Sequence, residues 1–93
     1  MITQIARVPI ERPQRYAKQL ASHMGNKVPA EVIDGGWKLT FDIGTATLES
    51  NGSNLIMTTI ANSQSDIEKI QFALVKHLIK FASKVGQLEI IWR

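Results

Sequence analysis

The stretch Trp37 to Ile43 alternates without a break. Trp37, Leu39, Phe41 and Ile43 fall on one side, and Lys38, Thr40 and Asp42 on the other. A period of two is the signature of a strand with one buried and one wet face, which a helix cannot reproduce. Turn chemistry frames the run. Asp34-Gly35-Gly36 precedes it, Gly44 breaks it, and Asn51-Gly52 is the strongest short hairpin signal in the chain. Thr45 to Ser50, with Ala46 and Leu48 on one side, is the next expected strand, and Asn54 to Ala61 the one after. Val28 to Ile33 precedes them, with Pro29 tolerated at its start or on an edge. These segments predict an antiparallel meander whose polar face carries Lys38, Thr40, Asp42, Thr45, Thr47 and Glu49.

A helix is expected on either side of this meander. Pro13 suits a first helical position, where a missing N–H costs nothing. Tyr16, Ala17, Leu20, Ala21 and Met24 then form an apolar face, and Gly25 is read as a left-handed stop. His23, Asn26 and Lys27 gather at that stop. The second helix opens on Ser65-Asp66-Ile67-Glu68, read as a capping box, and is expected to run to Gly86 with Lys80 and Lys84 in its last turns. Short strands at 2–8 and 88–93 complete the order β-α-β-β-β-β-α-β. The predicted class is α+β, two-layered, with a mainly antiparallel sheet and both helices on one face. This order is similar to TATA-box-binding-protein-like folds, an analogy of fold that carries no function.

A chain of 93 residues supports a single domain, 1–93, with one core. It has no cysteine, which removes disulfides, thiol nucleophiles and thiolate metal sites and fits a reducing compartment. The N-terminus has no signal-like apolar segment, so a cytoplasmic location is expected. No apolar run nears the roughly 18 residues of a membrane span, and no membrane partner is expected. The formal charge of +3 is a mild excess. A solvated charged face accounts for it better than nucleic-acid binding, because the few aromatics, Trp37, Phe41 and Trp92 among them, sit at inward positions.

The second helix has more apolar surface than a core stripe needs. Ile67, Ile70, Leu74, Leu78, Phe81 and Val85 should face the sheet, while Lys69, Lys76, Lys80 and Lys84 form a lysine edge. Phe72, Val75 and Ile79 make a further stripe. Either a strand end or the C-terminal segment covers it, or it is a homodimer contact or partner groove.

Few residues have chemical potential. His23 and His77 lie at the margins of their helices' apolar faces, and on a common sheet face the two imidazoles could meet. With Asn26 or a carboxylate they could hold a metal or polarise a small anion, but no metal-ligand spacing supports this over two hydrogen-bonded helix-margin residues. Lys27 could pair with helix carbonyls or Glu31. There is no P-loop, no G-x-G-x-x-G and no G-x-S-x-G. The carboxylates are accounted for by turns, the helix start and outward strand positions. No catalytic residue and no cofactor is expected, and the reading leans against an enzyme.

Three segments carry a resemblance: RPQRYAKQLASHMGNKVP (12–29), FDIGTATLES (41–50) and KHLIKFASKVGQLEIIW (76–92). Jointly, Arg15-Tyr16, Gln19-Leu20, His23, Lys27, Gly44, Leu48, His77-Leu78, Phe81 and Trp92 resemble the bacterial proteins grouped as domain of unknown function 2218. The resemblance implies no established activity. Some members of that family are joined to siderophore-interacting, flavin-dependent reductase-like domains, which implies iron or siderophore handling. Many carry a second histidine where this chain has Asn26, a departure that weakens a His-x-x-His pair. The expectation is a non-catalytic ligand-binding module built around His23, Asn26, Lys27 and His77, linked to iron or a siderophore-related protein. The alternatives are a homodimeric interaction module using Phe72, Val75 and Ile79, or a weak nucleic-acid binder.

Overall fold

The computed structural model describes residues 1–83, 86 and 88–93. The elements are β1 (Ile2–Pro9), α1 (Pro13–Met24), β2 (Ala30–Ile33), β3 (Gly36–Phe41), β4 (Gly44–Asn51), β5 (Asn54–Ala61) and α2 (Gln64–Phe81). The expected α+β order is realised. Its last member, at the C-terminus, is reduced to a bridge between Ala6 and Trp92. Ile5 N–H donates to Arg93 O at 2.9 Å and Arg93 N–H to Ile5 O at 3.0 Å. That short contact pairs part of an edge strand that would otherwise expose its backbone groups.

The five strands lie in the order β1-β5-β4-β3-β2, every neighbouring pair antiparallel. Register follows the period-two pattern. Trp37 opposes Leu48, Leu48 opposes Met57, and Met57 opposes Ala6. One apolar row therefore crosses four strands. Leu39, Leu48, Leu55, Met57, Ala6 and Val8 are fully buried on this face. α1 packs across β2 to β5, α2 across β1, β4 and β5, and the helices touch each other. Leu20 from α1 and Ile67, Ile70, Leu74 and Leu78 from α2 close the core.

Several local details differ from the sequence reading. β3 ends at Phe41, and Asp42 and Ile43 form the turn into β4. Gly44 opens β4 instead of ending β3. A Cβ there would collide with Ile60 O and come within 2.9 Å of Ala61 Cβ, so glycine allows β4 and β5 to approach. Asn51 pairs with Asn54, which makes Gly52-Ser53 the loop, one residue later than expected. Gly52 has φ 61 and Ser53 is not in the left-handed region, the pattern of a II′ turn. β2 begins at Ala30 because Val28 is spent on the end of α1, its N–H bonding Met24 O at 2.9 Å.

The helix ends also differ. Gly25 caps α1 at φ −63, ψ −15, so it is no left-handed stop. Its lack of a side chain serves packing, since a Cβ would lie 3.0 Å from Ala21 O. The left-handed residue is at the other end: Arg12, the N-cap, has φ 56 and ψ 55. α2 starts one turn-fragment earlier than the Ser65 box. Ser63 is the N-cap, and its Oγ accepts from Asp66 N–H at 3.2 Å. Glu68 instead accepts from Gln64 Nε2 at 3.2 Å, one helical turn back. α2 ends at Phe81 with Ala82 as C-cap, short of Gly86. Lys84 and Val85, expected in its last turns, lie outside the described residues.

Candidate functional site

His23 occupies the flank of α1 that faces α2, in the last turn of the helix and one residue before its end at Met24. His77 occupies the matching flank of α2, between the buried Leu74 and Leu78 turns. Because both helices lie on the same sheet face and touch, the two half-buried rings meet. Their centroids are 4.2 Å apart with the planes tilted by 53°. Phe81 closes the apolar side, edge-on to His23 at 5.5 Å and stacked on His77 at 6.4 Å. His23 Nε2 and His77 Nδ1 are buried and find no hydrogen-bond partner among the described residues. Buried polar atoms are normally paired, so an orphan on each of two touching rings is unusual.

The electrostatics are one-sided. Burial pushes the His77 pKa below its ordinary value, and His23, Lys27, Lys76 and Lys80 push it the same way. Every charged neighbour named there is a base. The lowered pKa keeps His77 neutral at neutral pH, with one N–H donor and one lone pair. The lysines meanwhile leave a positive corner that no carboxylate among the described residues offsets in acting on His77.

The expected site residues divide. The structure brings His23 and His77 together and sets Lys27 close enough to act on His77. Asn26 lines a shallow cleft of about 340 Å³ with Ala21, Gly25, Val32 and Trp37, and neither histidine takes part in it. Lys27 is tied to the helix end through its backbone, N–H to Met24 O at 2.9 Å, leaving its side chain exposed. Among the described residues, no three of His, Cys, Asp or Glu gather closely enough to hold a metal ion. Phe72 and Ile79 are 70% and 55% exposed, with Val75 half-buried between them. Among the described residues no strand end or terminal segment covers the stripe.

One polar cluster escaped the sequence reading. Gln71 and Thr59 are buried. Gln71 Nε2 donates to Gln4 Oε1 at 2.7 Å and lies 3.4 Å from Thr59 Oγ1, which itself donates to Gln4 O at 3.0 Å. The signal was present. Thr59 is in phase with Leu55, Met57 and Ala61, and Gln71 is one turn from both Ile67 and Leu74. Two polar residues in apolar phase on facing elements are the mark of a buried hydrogen-bonded pair.

Among the described residues, no helix is long and apolar enough to cross a membrane. A search of curated proteins found no match. Among solved structures, the chain is similar to the NMR structure of PA4090 from Pseudomonas aeruginosa. The TM-score is 0.83 and the identity 22%, over 100% of this chain and 96% of that one, a likeness of fold alone. The profile of one family matches residues 5–93. The chain therefore belongs to the family described as "Uncharacterized protein conserved in bacteria (DUF2218)".

Proposed function

We propose that this domain is a non-catalytic binding module for a small anionic ligand, of which an iron chelate is the leading case, held where α1 and α2 meet. One observation carries the reading: two imidazoles at 4.2 Å, each with a buried unpartnered nitrogen. Lysine charges around His77 favour an anion over a bare cation. Two imidazoles are also too few to complete a metal's coordination, so a bound metal would have to bring its other ligands with it. A chelate with negatively charged donors meets both conditions. Lys27, Lys76 and Lys80 would neutralise its charge, and His23 and His77 would hydrogen-bond to it or take an open coordination position. The siderophore association seen in some family members agrees with this chemistry. Asn26 contributes only as an outlying rim residue.

The test is a titration with ferric citrate, a ferric catecholate complex and citrate alone. Imidazole ring protons would be followed by NMR and Trp37 and Trp92 by fluorescence. Saturable shifts of both imidazoles are expected, and they should vanish in His23→Ala. Flat titrations with all three probes would discard the reading.

A further inference from the structure

The outward side of the helical layer is a feature that the histidine corner leaves unused. Both helices pack on one sheet face, so their outer sides form one face of the molecule. Residues 12–27 and 64–81 hold seven of the chain's eleven basic residues and only two of its eight acids. The rest of the chain holds four basic residues and six acids, so charge is segregated. All seven basic side chains in the helical segments are exposed. The two acids are confined to the first turn of α2, where Asp66 joins the cap and Glu68 is bonded to Gln64. On the crest of α2, opposite its core stripe, stand Phe72 and Ile79, 70% and 55% exposed. Lys69, Lys76 and Lys80 run along one flank of this crest.

We propose that this face docks on an anionic lipid bilayer. Phe72 and Ile79 enter the headgroup–acyl boundary, while the lysine flank and the basic side of α1 meet lipid phosphates. A membrane span and a surface contact are separate matters. The helix is too polar to cross, yet it has the apolar crest and basic flank of an interfacial helix. Charge complementarity selects the occupant. A second copy, one of the sequence expectations for this stripe, fits less well. An antiparallel two-fold pairing of α2 places each lysine flank beside its own image, and like charges in register oppose association. Nucleic acid would answer the charge but offers nothing to the aliphatic Ile79 and Val75.

The test is co-sedimentation with phosphatidylcholine–phosphatidylglycerol vesicles and with phosphatidylcholine vesicles, at low and raised salt. Sedimentation with the anionic vesicles alone, reversed by salt, is expected. The double variant Phe72→Ser/Ile79→Ser should lower partition at least about tenfold, and Lys69→Glu about fivefold or more. These side chains are exposed, and amide NMR spectra will confirm that each variant is folded. No sedimentation with anionic vesicles at low salt, or sedimentation unchanged in the double variant, overturns the proposal. A Phe72-dependent doubling of mass without vesicle binding overturns it in favour of a second copy. The vesicle assay contains no chelate and the chelate titration no lipid, so either can fail alone.

Discussion

α2 carries two inward polar positions that the fold treats in opposite ways. Gln71 turns toward β1 and β5 and is answered by Gln4 and Thr59. His77, nearly two turns later, turns toward α1 and meets another histidine, a phenylalanine and the field of three lysines. At the first position the desolvation of polar groups is repaid by hydrogen bonds, so the cluster fixes the docking of α2 on the sheet. At the second, two ring nitrogens are desolvated with no partner, and the lysines disfavour a positive charge there. The first arrangement stabilises the fold. The second costs stability within the domain, a cost that the proposed anionic ligand would relieve. That contrast separates a structural polar cluster from a candidate site more sharply than residue type does.

The comparison can be broken or sharpened by substitution. The largest effect is expected from Gln71→Ala, which leaves a cavity and strips Thr59 and Gln4 of a partner. Urea denaturation should show a loss of about 2–3 kcal/mol. Thr59→Val keeps the shape and removes the hydroxyl, so a smaller loss of about 1 kcal/mol is expected in the same measurement. His77→Leu should have the opposite sign, a gain of about 0.5–1 kcal/mol, because a buried orphan is replaced by an apolar group. The same variant should lose chelate binding. If His77→Leu proves as damaging as Gln71→Ala, the two regions do not differ in kind.

The smallest expected effect is on pH dependence, and its sign follows from the lowered pKa of His77. Burial first, then His23 and the lysines, make the folded protein a weaker proton acceptor than the unfolded chain at this residue. The associated stability is complete above the ordinary histidine pKa of about 6.5. It is lost as pH falls from there toward the depressed folded value, since the unfolded state takes up its proton first. Urea midpoints measured on either side of that range should drop toward acid in the parent chain, and less in His77→Leu. A bound anion should raise the urea midpoints by favouring the folded state.

Much of the fold was legible because its causes are local. The period-two run at Trp37–Phe41 fixed one strand, the turn at Gly35 separated it from β2, and the turn at Gly52 separated β4 from β5. Pro13 marked the start of α1 correctly for the reason given, its missing N–H. Errors came where two local signals competed. Ser63 and Ser65 are both followed three residues later by an acid, and only the course of the chain out of β5 selected Ser63. Gly25 looked like a left-handed stop, yet close packing on Ala21 and Ala30 explains it instead. The site was legible in part. His23 and His77 could be marked as helix-margin residues, but Asn26, sequence neighbour of Lys27, faces a different cleft.

By itself the sequence determined which segments become strands and helices, which face of each is apolar, and that the helices would share one side of the sheet. Those properties follow from side-chain periodicity and turn preference, which act within a few residues. Only the tertiary structure decided that His23 and His77, far apart in the chain, come to 4.2 Å with orphaned nitrogens, and that Gln71 does not. It also set the two distant helices side by side on one sheet face, with their basic residues and with Phe72 and Ile79 exposed. Contacts of that kind depend on how two helices settle against a common sheet, and the packing of the whole core sets that position.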